Sequence, residues 1–152
     1  MHINERTQLI SIKVDGAIKI EKFIKNDVHF QSMAKILIMD DSLMMRSILR
    51  NFLKKLGHEC IETKDGDEVF ETYKTEKPDV VLMDIIVPGK TDGWEGTKKI
   101  MQFDHEAKII MVTSLKEKQD EDNAAALGTV GYIKKPFSME EIKSALDAIG
   151  IK

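Results

Sequence analysis

A doubly wound α/β fold, with five parallel strands alternating with five helices, is predicted by three observations. From residue 35 onward short apolar runs alternate with helix-length amphipathic segments. Three of those runs, "KILIMD" (35–40), "VVLMD" (80–84) and "KIIMVT" (108–113), are nearly continuous in apolar residues, as strands covered on both faces of a parallel sheet require. Five strand-helix repeats fit into about 115 residues, the spacing of βαβ units.

The elements follow in order. After the first run, Met45, Ile48, Leu49, Phe52, Leu53 and Leu56 recur at three- and four-residue steps, and Gly57 supplies a C-terminal stop. "CIET" (60–63) is the second strand, and Val69, Phe70 and Tyr73 mark a helix that ends before Pro78. The third strand, 80–84, precedes a helix carrying Trp94, Ile100 and Met101. After the fourth strand, "SLKE" (Ser114 to Glu117) has the spacing of a capping box, and so does "SMEE" (Ser138 to Glu141) after the fifth strand, "GYIKK" (131–135). These predict the starts of helices four and five.

Upstream, "LISIKVDGAIKI" alternates apolar and polar residues around Asp15-Gly16, a hairpin signal. A two-residue turn mixes the faces by setting Ile12 opposite Lys19. A three-residue loop, Asp15 to Ala17, pairs Val14 with Ile18 and Ile12 with Ile20, and so collects the apolar residues on one face. The three-residue loop is therefore the expected one. The division read from the sequence is an N-terminal extension over 1–33, either a β-hairpin or a flexible tail, and a main domain over 34–152. Met33 also offers a start for the main domain.

Composition narrows the function classes. With 42% apolar residues among 152, one domain can bury a proper core. A net charge of -3 supplies no overall basic field toward nucleic acid or anionic membrane, and no apolar run approaches the roughly 20 residues of a membrane span. Cys60 is the only cysteine, and the four histidines show no metal-ligand spacing with it. The N-terminus lacks the charged-then-apolar layout of a secretory leader. The expectation is a cytoplasmic protein in a reducing compartment, with neither nucleic acid nor membrane as partner.

The fold locates the chemistry. Ligands of an open parallel sheet bind outside the carboxyl ends of its strands, and Asp40, Asp41, Asp84, Thr113 and Lys135 all fall at such ends. Singly, each has an ordinary reading as a turn, a cap or a solvated residue; together they point to a site. Three converging carboxylates repel one another, and a hard divalent cation, Mg²⁺ or Mn²⁺, relieves them with oxygen ligands. Asp84, central in the sheet, is then placed to attack phosphorus, with Lys135 and Thr113 as donors to the phosphoryl oxygens.

"ILIMDDS", "VVLMDIIVPG", "MVTS" and "GYIKKPF", in this order and spacing, resemble the receiver domain of two-component response regulators, especially the stand-alone CheY-like type, over roughly residues 34–150. The resemblance implies a flavodoxin-like (βα)5 sheet with Asp84 as phosphoacceptor. Asp40 and Asp41 match the acidic pair, and Asp41, Asp84 and the backbone carbonyl of Ile86 match the Mg²⁺ ligands. It also implies that Thr113 and Tyr132 form the switch and that the Lys135-Pro136 peptide is cis. A histidine kinase would be the donor, and a downstream protein would bind the face made by helix four, strand five and helix five. With no effector domain after residue 150, output is expected to pass through another protein, in chemotaxis or motility. The expected role is that of a phosphoacceptor signalling protein rather than an enzyme.

Two departures stand out. "PGKTDG" has one residue more than the usual P-x-M-D-G and lacks its Met, and Ile86 and Leu115 are apolar where rapidly dephosphorylating receivers are often polar. The first keeps a rival reading open, an adaptor that retains the fold without phosphotransfer. The second predicts slow self-dephosphorylation. Enzyme readings are weaker: a haloacid-dehalogenase-type phosphatase needs an acid where Ile86 stands, and neither GxGxxG nor GxxxxGK[ST] occurs.

Overall fold

Backbone pairing organises the chain into two units, residues 1–32 and 33–152, and the computed structural model describes residues 7–14, 17–24 and 33–152. In the first unit β1 (Thr7–Val14) pairs antiparallel with β2 (Ala17–Ile24). Val14 lies opposite Ala17 and Ile12 opposite Lys19. This corrects the expected three-residue loop: only Asp15 and Gly16, which lie outside the described residues, separate the paired strands. The backbone ladder forms in either register, and a two-residue connection is the length an Asp-Gly dipeptide favours. Turn length outweighed the alternation of apolar residues along the strands.

In the second unit the strands are β3 (Lys35–Met39), β4 (Glu59–Thr63), β5 (Val80–Met83), β6 (Ile109–Thr113) and β7 (Gly131–Lys134). They form one parallel sheet in the order β4-β3-β5-β6-β7. That is the predicted doubly wound, flavodoxin-like order, and its topological switch point lies between β3 and β5. The helices are α1 (Leu43–Lys55), α2 (Gly66–Glu76), α3 (Gly93–Phe103), α4 (Lys118–Ala126) and α5 (Met139–Ala148). Strand alternation splits the core into two layers. Ile36, Ile38 and Leu82 pack with Leu49 and Leu53 of α1 and Ile142 and Leu146 of α5, whereas Leu37, Met39 and Met83 pack with Val69 of α2, Ile100 of α3 and Ala124 of α4. With both faces covered, the three central strands β3, β5 and β6 are almost wholly apolar, which is why they read as continuous runs.

Local capping sets most helix starts. Ser42 accepts from the Met45 amide, Asp65 from those of Asp67 and Glu68, Asp92 from Glu95, and Ser138 from Glu141. Gly57, with φ of 87°, follows α1 in the left-handed conformation expected of a stop. The fourth helix departs from expectation. It begins at Lys118 after Glu117, with no side-chain cap, so Ser114 does not start it. The preceding peptides are engaged elsewhere: the Leu115 amide donates to Thr113 Oγ1 and the Leu115 carbonyl accepts from the Tyr132 hydroxyl. Held against β6 and β7, residues 113–117 do not wind into the helix.

Candidate acidic site at the switch point

Asp40 follows β3 and Asp84 follows β5, and the ladder runs one residue past each strand to hold them. The Asp40 amide donates to the Thr63 carbonyl at 3.1 Å and the Asp84 amide to the Met39 carbonyl at 2.9 Å. Both side chains are buried, with Asp40 2% and Asp84 6% exposed, while Asp41 is exposed. Carboxylate oxygens of Asp40, Asp41 and Asp84 lie within 4.8 Å of one another.

The two buried carboxylates are satisfied differently. Asp40 Oδ1 accepts from the Ser42 amide at 2.9 Å and Oδ2 from Lys135 Nζ at 2.6 Å. Lys135 Nζ also donates to Asp84 Oδ2 at 3.1 Å. Asp84 Oδ1, by contrast, is buried with no hydrogen-bond partner. A buried carboxylate oxygen without a donor is costly. Burial pushes the Asp84 carboxyl above its ordinary range; Lys135 opposes that shift and the Asp40 charge adds to it. For Lys135 burial favours the neutral amine, but the contacts with Asp40 and Asp84 outweigh it and hold the ammonium above its usual value.

Thr113 is fully buried at the end of β6, and Lys135 is fixed beside it by its amide, which donates to the Thr113 carbonyl at 2.8 Å. The Lys135-Pro136 peptide is cis. Half-buried Tyr132 donates to the Leu115 carbonyl at 2.8 Å, and burial, with Asp120 and Glu121 nearby, pushes its phenol up to about 12. Leu115 therefore ties Thr113 on one side to Tyr132 on the other. Ile86 is 44% exposed in the loop after β5. That loop turns back so that the Gly93 amide donates to the Ile85 carbonyl at 2.9 Å. A Cβ on Gly93 would collide with the Asp84 carbonyl, so this position admits only glycine.

Five polar residues read from the sequence as strand-end neighbours thus lie at one sheet edge. Among them Asp40, Asp41, Asp84 and Lys135 converge directly, and Thr113 meets the Lys135 backbone; a sixth residue, Tyr132, is linked to Thr113 through Leu115. Sequence reasoning missed Arg46. Its Nη1 donates to the Asp40 carbonyl at 2.8 Å, its Nε lies 3.4 Å from Glu62, and it is 7% exposed. A signal was present: Arg46, Leu49 and Leu53 fall on one helical stripe at steps of three and four, and all three are buried.

The donor set suits a hard cation. Three carboxylates face a single ammonium, all the side-chain donors are oxygen, and one of them is buried and unpartnered. Asp40, Asp41 and Asp84 are the carboxylates close enough together to hold such a cation.

Residues 36–147 match the response regulator receiver domain family. The chemotaxis protein CheY of Halobacterium salinarum is 40% identical over 118 residues, which cover 77% of this chain and 98% of that protein. A probable transcriptional regulator, ycf27 of Guillardia theta, is 35% identical over 129 residues, 83% of this chain; there the chain spans 50% of the relative's length. Among solved structures, a chain of the CheX-CheY-BeF3-Mg+2 complex from Borrelia burgdorferi superposes with a TM-score of 0.74 at 29% identity, over 78% of this chain and 90% of that one.

Proposed function

The chain belongs to the response regulator receiver domain family, and from that premise we propose that Asp84 accepts a phosphoryl group from a histidine kinase in a Mg²⁺-dependent reaction. The observation that carries the proposal is the buried, unpartnered Asp84 Oδ1 beside two further carboxylates and one lysine. Bound Mg²⁺, or Mn²⁺, would neutralise the carboxylates and draw charge from the phosphoryl oxygens.

An Asp84 carboxylate oxygen attacks phosphorus as the P–N bond of the donor phosphohistidine breaks; the electrons stay on the imidazole, which takes up a proton from water. Lys135 already touches the carboxylate and turns its ammonium to the transferred group, and Asp40, fixed by Ser42 and Arg46, orients that lysine. Receiver domains bind Mg²⁺ in such an acidic pocket, and here Asp41, Asp84 and the Ile86 carbonyl are the proposed ligands.

Phosphorylation replaces one charge on Asp84 with about -1.5 to -2 at pH 7 and adds acceptor oxygens. Drawing the Thr113 hydroxyl toward them disturbs the Leu115 amide and, through the same residue's carbonyl, Tyr132. This supports a switch read out on α4, β7 and α5, where a partner protein preferring the phosphorylated form must in turn favour phosphorylation. We assign the phosphoacceptor role to residues 34–152, with 1–33 as an extension, in a cytoplasmic chemotaxis-type or related relay. No helix among the described residues is long and apolar enough to cross a membrane.

Intact mass after incubation with acetyl phosphate, with and without Mg²⁺, tests the reading. A Mg²⁺-dependent phosphoryl adduct on wild type but not on Asp84→Asn is expected, and with Ile86 and Leu115 apolar it should decay slowly. No adduct, together with no Mg²⁺ binding, would favour the adaptor reading that the longer loop after Asp84 keeps open.

A further inference from the structure

The loop between β5 and α3 carries the extra residue of "PGKTDG", and the structure gives it an anchor that the reaction chemistry does not require. The Thr91 carbonyl accepts from the Gly66 amide at 2.7 Å, and the Thr91 hydroxyl donates to Asp67 Oδ2 at 2.7 Å. The other Asp67 oxygen accepts from Lys99 Nζ at 2.6 Å. One loop residue is thereby fastened to the first turn of α2, and α2 to α3.

Close packing reinforces the polar contacts. A Cβ on Gly66 would collide with the Asp92 carbonyl and with Thr91, and one on Gly96 would meet the Gly66 Cα at 3.1 Å. Loop, α2 and α3 approach one another at backbone distance, so Thr91 has no room to slide. Lys99 and, next, Thr91 hold the Asp67 carboxyl below its usual range, keeping it charged as an acceptor.

The anchor lies a short way along the chain from the acidic site. Two residues after Thr91, the Gly93 amide binds the Ile85 carbonyl and the Gly93 Cα packs on the Asp84 carbonyl. Between Ile85 and Thr91 the loop exposes Ile86, Pro88, Gly89 and Lys90, and its only internal backbone bond runs from the Lys90 amide to the Val87 carbonyl. A loop this exposed pays ordering entropy when it takes part in a ligand set. Fastening its far end reduces that cost.

Building on the reading of Asp84 and Ile86 as metal ligands, we propose that Thr91 and Asp67 are positioning residues that clamp the β5–α3 loop to α2 and so hold the Ile85–Ile86 backbone in place for the divalent cation. Neither residue touches the reacting atoms. Their contribution is to affinity for the metal, in the way that partners behind a ligand tune it.

Mg²⁺ titration calorimetry on the full chain, with amide exchange on the metal-free protein, tests this. Thr91→Val keeps the shape and removes the hydroxyl; Thr91→Ser restores it. Partners directly behind a ligand are worth 10- to 100-fold in affinity, and these act one link further away, so Thr91→Val and Asp67→Asn should each weaken Mg²⁺ about three- to tenfold. Thr91→Ser should stay within about twofold of wild type, and the double variant should be no weaker than the worse single one, because both act on the Thr91–Asp67 contact. In the metal-free protein, Thr91→Val should speed exchange at the Gly66 and Gly93 amides. Mg²⁺ affinities of Thr91→Val and Asp67→Asn within twofold of wild type would overturn the proposal, as would Thr91→Ser weakening binding as much as Thr91→Val. If wild type binds no Mg²⁺, the metal reading itself fails and the positioning role falls with it; the exchange data then report only whether the loop is clamped.

Discussion

The helices α1 and α4 cover opposite faces of the sheet and are built to different standards. At its N-terminus α1 is capped by Ser42 and at its C-terminus it is stopped by Gly57, and it buries Arg46, Leu49 and Leu53. Its end is tied to the start of β3, where the Ala34 amide donates to His58 Nδ1 at 3.3 Å. By contrast α4 has no side-chain cap, carries Asp120 and Glu121 in its first turn, and buries only Ala124. The carboxylate that orients Lys135 is held by the first helix, whereas the segment joining Thr113 to Tyr132 runs into the second. Elements that must move are drawn from the less stable parts of a structure. The acidic site and its proposed readout thus divide between a well-packed and a lightly packed helix.

The largest test of that contrast lies in the core. Leu53→Ala empties a fully buried position on α1 and should cost about 2–5 kcal/mol in urea unfolding. Ala124→Gly, at the single buried position of α4, should cost about 1 kcal/mol through helix propensity. Equal losses would show that α4 is packed as firmly as α1. Capping provides a smaller version. Ser42→Ala should cost about 1 kcal/mol, while Glu117→Ala, which removes no capping bond, should fall within about 0.5 kcal/mol of wild type.

The smallest effect is pH-dependent and lies at the contact between His58 and Ala34 that anchors α1. Burial lowers the pKa of His58 below its ordinary value, with Asp79 pulling weakly the other way. Because the folded pKa is the lower one, the stabilisation is fully present above the unfolded value of about 6.5 and is lost as pH falls through it toward the folded pKa. Protonating Nδ1 also turns the acceptor for Ala34 into a donor. His58→Asn offers an oxygen in its place, so the stability difference between wild type and variant should shift against wild type from pH 8 to pH 5. Parallel curves would show that His58 does not titrate in this contact.

Much of the fold was legible for local reasons. Ser138 reads as a cap because Glu141 follows three residues on, and it caps α5. "VVLMD" reads as a central strand because every residue is apolar up to the carboxylate, and β5 has a neighbour on each side. The same local logic failed at Ser114, whose spacing to Glu117 matches that of Ser138 to Glu141. Leu115 there is committed to Thr113 and Tyr132, and Tyr132 is 17 residues away. In the hairpin, alternation favoured one register while the strands pair in the other, because no pattern within the strands measures turn length against the need for a buried face.

The sequence by itself determined the periodicities, the caps and the side on which the carboxylates emerge, because each depends on neighbours a few residues apart and on a parallel sheet having one carboxyl edge. Only the tertiary structure decided which oxygens are satisfied. Lys135 meets Asp40 across 95 residues and Asp84 across 51, and no local pattern encodes that one ammonium covers both carboxylates and leaves Asp84 Oδ1 bare. The contact of Thr91 with Asp67 on α2, across 24 residues, belongs to the same class. It joins elements that become neighbours only when the strands have paired and both faces of the sheet are covered.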